Sequence, residues 1–179
     1  MTAGARVCAL DGKKNSTLHY LADDGLAESW RADDTRSLFY RLLDAGASTV
    51  VNSRNKAGNT AIRLLLEDRG DRAFDRDQWY GHTRGRPGVV VRNEEEVDEK
   101  PFTRLHDAGV DWGERDEEAG KTLLHVVAAS PIWRSAWRAE FLLEKGVDPR
   151  VCDASGKTPR DIAIENNNTK VIEVLDRFE

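Results

Sequence analysis

The sequence predicts an all-α protein in which short paired helices alternate with tight turns. One observation is the segment GKTLLHVVAA at residues 120–129, in which a glycine turn leads into one apolar stripe of helical period. Related segments occupy residues 16–22, 58–66 and 156–164. A second observation is a helix-ending glycine followed by a small or apolar residue, at Gly46, Gly109 and Gly146. The intervals from these glycines to the next turn are nearly equal, which predicts that the same turn recurs.

Each part of residues 120–129 has a local physical role. Gly120 can adopt a positive φ without steric cost, which suits the turn before a helix. Thr122 stands where an N-cap belongs, because its hydroxyl can accept a hydrogen bond from a first-turn N–H, worth roughly 1 kcal/mol. Leu124, Val127 and Ala128 are spaced to form one buried stripe. The segment is therefore expected to form a capped amphipathic helix.

The first helix pair is expected near the start of the chain. A turn at residues 11–12 precedes a helix over about residues 17–24. A second helix carries apolar side chains within residues 38–43 and follows a cap at Asp34 or Thr35. The sequence AGA that follows it places a glycine in the C-cap region, where a helix commonly ends.

An insertion at about residues 68–97 lies within the second helix pair, between its first and second helices. It is charged and rich in turn residues, and its apolar residues 89–91 predict a short strand. Pro101 is expected at the first position of the following helix, where its missing N–H costs nothing. Phe102 and Leu105 are expected to face the core.

The recurring segments together resemble the Gly-x-Thr-Pro-Leu-His-x-Ala-Ala signature of ankyrin repeats. The resemblance implies a single-domain solenoid over residues 1–179, made of irregular helix–turn–helix repeats with short β-hairpin turns. The four implied repeats occupy about residues 11–52, 53–114, 115–150 and 151–179. It also implies that His19 and His125 tie helix to turn through hydrogen bonds.

The chain departs from the ankyrin pattern in its spacing and at the histidine position. The cap positions are Ser16, Thr60, Thr122 and Thr158. Successive caps are 44, 62 and 36 residues apart, against a family period of about 33. Arg63 and Asp161 stand at the histidine position of the second and fourth repeats, and Arg160 replaces the signature leucine of the fourth. A polar final repeat is what a terminal cap requires.

Composition narrows the function and the compartment. The formal net charge of −5 argues against a general nucleic-acid binder. Cys8 and Cys152 lie near opposite ends without metal-ligand spacing, which favours a reducing compartment and no disulfide. No apolar run approaches the length of a membrane span, and the N-terminus lacks a signal-peptide pattern. We therefore expect the cytoplasm or the nucleus, with no membrane partner.

A search for catalytic chemistry gives no specific motif. Residues 120–122 and 156–158 read Gly-Lys-Thr, like the end of a phosphate loop, but Arg115 and Val151 stand where that loop needs its first glycine. The histidines and cysteines form no recognisable nucleophile–base pattern. We therefore expect no enzyme activity, no cofactor, no metal and no small-molecule ligand.

By resemblance, the predicted function is recognition of a partner protein through the concave face and the hairpin tips. The predicted contact residues are Asp23, Asp24, Lys56, Asn59, Glu67, Asp68, Glu117, Glu118, Lys121, Lys157, Glu165 and Asn166. The inner-helix members are mostly acidic and the tips mostly basic, which suggests an acidic palm edged by basic fingers. Equally, these charges could be solvated helix and turn ends. Two other functions stay open, namely an accessory domain of a larger enzyme and a nucleic-acid contact through Arg84, Arg86 and Arg92.

The tryptophans allow two interpretations. Four lie in or beside three insertions, at about residues 23–35, 68–97 and 130–136: Trp30, Trp79, Trp133 and Trp137. They could pack together as a second small core, or form an exposed binding ridge, since tryptophan is enriched at interface hot spots. Trp112, in a turn, is expected to cover the flank of the neighbouring repeat.

Overall fold

A computed structural model describes residues 7–23, 38–67, 96–130 and 135–178. Within these ranges the chain is mostly helical and contains no strand. The helices are α1 Thr17–Asp23, α2 Leu38–Asp44, α3 Ala61–Leu66, α4 Glu96–Asp107, α5 Leu123–Ala129, α6 Ser135–Glu144, α7 Pro159–Glu165 and α8 Thr169–Phe178. A 3₁₀ helix at Ala47–Val50 follows α2.

The helices pack in two connected layers. In the first layer α1 contacts α3, α3 contacts α5, and α5 contacts α7. In the second layer α6 contacts α8, and these two helices also pack on α5 and α7 respectively. The helices α2 and α4 are joined by an ion pair between Asp44 and Arg104. This order places the turns that precede α1, α3, α5 and α7 next to one another.

The predicted apolar stripe of α5 is confirmed as core. Leu124 and Val127 are each 1% exposed and Ala128 is fully buried. Phe102 and Leu105 of α4 are each 1% exposed, so they face the core as expected. A helix that is buried on this many sides derives most of its stability from packing rather than from its own propensity.

The predicted glycine helix endings are also confirmed. Gly46, Gly109 and Gly146 have φ values of 100°, 82° and 83°, in the left-handed region that glycine adopts without cost. After α4, Gly109 N–H donates to the His106 carbonyl at 2.9 Å and Val110 N–H donates to the Leu105 carbonyl at 3.1 Å. These bonds occupy carbonyls that the end of a helix would otherwise leave without partners.

Two local predictions are wrong. The helix α4 begins at Glu96, so Pro101 lies inside the helix rather than at its first position. An acidic sequence suits the first turn of a helix because of the helix dipole, and this favours a start before the proline. The expected β-hairpin arms are reduced, within the described ranges, to one isolated antiparallel bridge between Arg115 and Thr122. Side-chain hydrogen bonds close these turns instead of a strand ladder.

An aromatic cluster joins α4 to α6. Phe102 stacks on Trp112 with ring centroids 5.7 Å apart and meets Phe141 edge-on at 5.2 Å. Trp137 stacks on Phe141 at 5.4 Å. Trp112 meets Phe141 of the following helix pair at 5.1 Å, in line with the expected cover of the neighbouring segment. Trp137 is packed rather than fully exposed, but against the main core and not in a second small one. The other three insertion tryptophans, and residues 89–91, lie outside the described residues.

Candidate functional site

Four turns along one edge of the molecule share the same hydrogen-bond arrangement. We define them as the first to fourth turns, at residues 11–15, 55–59, 116–121 and 153–157. Each opens with Asp or Asn, whose side-chain oxygen accepts N–H groups from the following residues. Asp11 accepts from Lys13 at 2.8 Å and from Asn15 at 2.7 Å. Asn55 accepts at 3.0 Å from both Ala57 and Asn59.

The third and fourth turns close in the same way. Asp153 accepts from Ser155 at 2.8 Å and from Lys157 at 3.0 Å. Asp116 accepts from Glu118 at 2.9 Å and also from Ala119, in a turn that is one residue longer. Backbone N–H donors stabilise the ionised carboxyl, so the pKa values of Asp116 and Asp153 are lowered chiefly by these bonds. The turn conformation is therefore fixed by a side chain within each turn.

Every turn contains one residue with a positive φ. In three turns it is a glycine, with φ of 79° at Gly58, 65° at Gly120 and 77° at Gly156. In the first turn it is Lys14, with φ of 61°. Gly120 has a second constraint, because a Cβ there would lie 3.1 Å from the backbone nitrogen of Ala154. The third and fourth turns thus approach one another closely.

Hydrogen bonds link neighbouring turns. Lys56 N–H donates to the Lys13 carbonyl at 2.8 Å, joining the first two turns. Ala154 N–H donates to the Ala119 carbonyl at 2.9 Å, joining the last two. Between the middle turns the guanidinium of Arg54 donates to the Arg115 carbonyl at 2.9 Å. The four turns consequently form one connected row.

Two arginines to which the sequence analysis gave no structural role support this row. Arg54 donates from Nη1 to the Gly58 carbonyl of its own turn at 2.7 Å, and Arg115 donates from Nε to the Gly120 carbonyl at 2.7 Å. Arg115 also donates to the Cys152 carbonyl of the next turn. Each arginine immediately precedes the Asx residue of its turn, and that shared position is the signal by which it could have been found.

Both signature histidines serve as structural links. The backbone N–H of Thr122 donates to His125 Nδ1 at 3.1 Å, and the Thr122 hydroxyl lies 2.8 Å from the same nitrogen. An Nδ1 that accepts leaves the proton on Nε2, which donates to the Lys157 carbonyl at 3.0 Å. His19 is arranged identically, with Ser16 as the cap and the Asn59 carbonyl 2.9 Å from Nε2.

Burial lowers the pKa of His125, because desolvation disfavours the charged ring. A neutral ring with one acceptor and one donor nitrogen matches the observed hydrogen bonds. Both histidines are 1% exposed, and both ring nitrogens of each have protein partners. Neither histidine has a nitrogen left for proton transfer to a substrate.

Arg63 takes over the histidine's link in the second helix segment. Its Nη2 donates to the Lys121 carbonyl at 2.8 Å, as the histidines do to the residue before the next cap. Its Nε donates to Glu114 Oε1 at 2.9 Å in an ion pair whose side chains are 2% and 3% exposed. Arg54 lies 3.2 Å from the other Glu114 oxygen, without hydrogen-bond geometry. At the position of Glu114, two residues before the Asx residue, the other turns carry Ala9, Ser53 and Val151.

Asp161 occupies the histidine position of the last helix pair. Its carboxylate accepts from the Thr158 N–H at 2.9 Å and from the Thr158 hydroxyl at 2.7 Å, which lowers its pKa. Pro159 stands at the first position of α7, so this helix has both a capping box and a preferred N-terminal residue. The hydrogen bonds of the short Asp161 carboxylate therefore serve only the cap of α7.

The structure places the predicted contact residues unevenly. Side chains at the exposed tips include Lys56, Glu117, Glu118 and Lys121, and Glu165 and Asn166 are exposed at the end of α7. Asn59, Glu67 and Lys157 are half-buried. The position of Asp23 ends α1, whereas Asp24, Asp68, Arg84, Arg86 and Arg92 lie outside the described residues.

In the described residues, one predicted basic finger is in direct contact with one member of the predicted acidic palm. Lys157, a predicted finger, pairs with Glu165 of the palm, with Nζ 2.6 Å from Oε1. Arg54 is engaged by Glu114 and by backbone carbonyls. Asn166 donates to the Ile162 carbonyl at 2.8 Å and so closes the end of α7.

Comparison of the chain with protein-family models and with curated proteins gives no match. No helix in the described ranges is both long and apolar enough to cross a membrane. The same ranges hold no group of three or more His, Cys, Asp or Glu residues arranged to bind a metal ion. The two Gly-Lys-Thr segments form a turn followed by a helix cap, as expected from the sequence.

Proposed function

We propose that this chain is an ankyrin-repeat solenoid that acts as a non-catalytic module for recognising a partner protein. The observation that carries the proposal is the connected row of four similar turns. Each turn is closed by its own Asx residue and linked to the next by hydrogen bonds. The resemblance implies a turn before the first helix of each of four repeats, and the positions of these four turns support it.

A row of this kind suits binding because its backbone is fixed before a partner arrives. Preorganised surfaces lose less conformational entropy on association. The tips carry exposed side chains of both signs, including Lys56, Glu117, Glu118 and Lys121. Charges at such positions mainly set association rate and partner choice.

The use of the histidines supports a role without chemistry. A general base needs an accessible ring nitrogen. In His19 and His125 both ring nitrogens make structural hydrogen bonds instead. Partner recognition requires nothing beyond the exposed row.

The proposal is tested by affinity capture from a cell extract with the folded protein, followed by binding measurements on the captured protein. The tip variant Glu117→Lys/Glu118→Lys keeps the Asp116 and backbone groups that close the third turn, and removes the ion pair of 3.9 Å between Glu117 and Arg54. Its matched control is Glu144→Lys/Glu173→Lys, which makes the same charge change at exposed positions of α6 and α8.

We expect one captured protein to bind directly, the tip variant to weaken it, and the control to bind as the original does. A captured protein that both variants retain equally would place binding away from the turns. Turnover of a substrate by the isolated chain would overturn the proposal.

A further inference from the structure

Three lysines lie together at the tips of the first two turns. We define Lys13, Lys14 and Lys56 as the lysine cluster. The hydrogen bond of 2.8 Å from Lys56 N–H to the Lys13 carbonyl holds the two tips side by side. All three side chains are exposed, and none makes an ion pair with a carboxylate in the described ranges.

Lys14 occupies a position that the other turns give to glycine. Its φ of 61° lies in the left-handed region, where a Cβ is unfavourable, and the equivalent residues are Gly58, Gly120 and Gly156. Glycine would therefore relieve strain in the first turn. The exposed lysine side chain has no hydrogen bond or ion pair within the described fold that repays this strain. A strained residue that the fold does not need is a reason to look for a functional one.

Positive charge at the other tips is already engaged or balanced. Arg54 and Arg115 donate to backbone carbonyls, and Lys157 pairs with Glu165. The third turn carries Glu117 and Glu118 next to Asp116, and the fourth exposes Ala154 and Ser155. The uncompensated positive charge of the described turns is thus concentrated at the first two.

Asp11 is the one carboxylate within the first turn, and it is directed into that turn. Its oxygens accept from the N–H groups of Lys13 and Asn15 and from the Tyr20 hydroxyl at 2.5 Å. The Tyr20 bond is the main cause that lowers the pKa of Asp11 to about 2. Asp11 therefore stays ionised, and the three lysines together outweigh its charge.

We propose that the lysine cluster is a docking site for a short acidic segment of a partner protein. The proposal rests on the function proposed above and names the chemistry of one part of its surface. A short protein segment fits better than a nucleic acid, because it can end within the first two turns, whereas a phosphate backbone running along the row would be repelled by Glu117 and Glu118. Lysine suits this role since its ammonium is a compact charge on a flexible stem.

The test uses a fluorescent peptide in which glutamate alternates with serine. The same peptide with glutamine in place of glutamate measures charge-independent binding. The variants are Lys14→Gly, Lys14→Asn and the triple Lys13→Gln/Lys14→Asn/Lys56→Gln. Asparagine tolerates a left-handed backbone, so it removes the charge without adding strain. The control is Lys170→Gln, which removes one exposed lysine from α8.

We expect each Lys14 variant to weaken binding of the acidic peptide roughly twofold to fivefold, and the triple variant about tenfold or more. Binding should fall as salt is added, because the charges are exposed. Lys14→Gly should raise the melting temperature while it weakens binding. If Lys14 had a structural role, Lys14→Gly would lower the melting temperature as well as weaken binding. Lys170→Gln should bind as the original chain does.

Peptide binding that is equal in the triple variant and the original would overturn the site. So would a lower melting temperature in Lys14→Gly, or an oligonucleotide of similar charge that competes better than the peptide. Capture separates this proposal from the broader one. A captured protein lost by Glu117→Lys/Glu118→Lys but kept by the triple variant would refute the lysine cluster and leave the recognition function standing.

Discussion

At the scale of single residues, the four turns have similar backbones but differ in how well they tolerate a side chain at the position of positive φ. Gly120 and Gly156 both have positive φ, but only Gly120 also has close neighbours. A Cβ at Gly120 would meet Ala154 N at 3.1 Å and Arg115 Nη2 at 3.2 Å, whereas nothing lies within 4 Å of one at Gly156. One matched pair of substitutions can therefore separate the effect of backbone conformation on stability from the effect of crowding.

Gly156→Ala is expected to reduce the free energy of unfolding by about 1–2 kcal/mol, the cost of a left-handed conformation. Gly120→Ala should cost about 1–3 kcal/mol more, because a Cβ forces the fourth turn or Arg115 to move. Urea denaturation of both variants gives the comparison. Equal losses would mean that the third and fourth turns are not in close contact.

His125 gives stability a pH dependence of definite sign. Its folded pKa is lowered by burial, so in a window below the unfolded pKa of about 6.5 the unfolded chain binds the proton more readily. Stability linked to this group is therefore complete above that unfolded pKa and declines as the pH falls below it.

We expect the free energy of unfolding to decrease between about pH 7 and pH 5. In His125→Gln the part of that slope due to this residue should disappear, although the variant is less stable throughout. Denaturation at several pH values checks this. An unchanged slope in His125→Gln would show that the ring does not carry the effect.

At the scale of elements, an ion pair joins α3 to Glu114, just before the third turn, where α1 and α5 each use a histidine to reach the next turn. The sequence showed Arg63 only as a departure from the pattern. Its partner Glu114 is 51 residues away, so no local signal connects the two. By contrast, the N-cap at Thr158, the helix ending at Gly46 and the apolar stripe of α5 were predictable, because the groups that each one contacts lie within a few residues. The predicted start of α4 at Pro101 was wrong because it rested on the preference of proline for the first helical position and left out the acidic sequence before it.

The Arg63–Glu114 pair should behave as one unit. Glu114→Val leaves a buried guanidinium without its carboxylate and is expected to cost about 3–5 kcal/mol. The double variant Arg63→His/Glu114→Val recreates the combination of His125 with Val151 found at the next junction, and should cost less than the two single changes together. A double-mutant cycle with a coupling of about 1–3 kcal/mol is expected. Additive losses would mean that the two side chains act independently.

At the scale of the whole molecule, the contacts run mainly between neighbours in sequence order, from α1 through α3 and α5 to α7. In the repeat array proposed above, stability is expected to be close to a sum of local and nearest-neighbour contributions. The centre and the end of the chain should then respond differently to comparable losses of buried volume.

Leu124→Ala removes a side chain that is 1% exposed from α5, a helix that contacts α3, α6 and α7, and is expected to cost about 2–5 kcal/mol. Val174→Ala in α8 removes fewer atoms from a helix with neighbours on one side of the array, and should cost less. Chemical denaturation measures both. A larger loss for Val174→Ala would contradict a central role for α5.

The most direct test of the proposed stack, in which α1, α3, α5 and α7 pack in order, is native-state hydrogen exchange. It is measured for individual amides in Leu124→Ala and Val174→Ala. We expect Leu124→Ala to reduce protection most in α3, α5 and α7, and Val174→Ala to reduce it in α7 and α8 while α1 and α3 stay unchanged. An equal loss of protection from α1 to α8 in both variants would contradict it, since that is the behaviour of one undivided core.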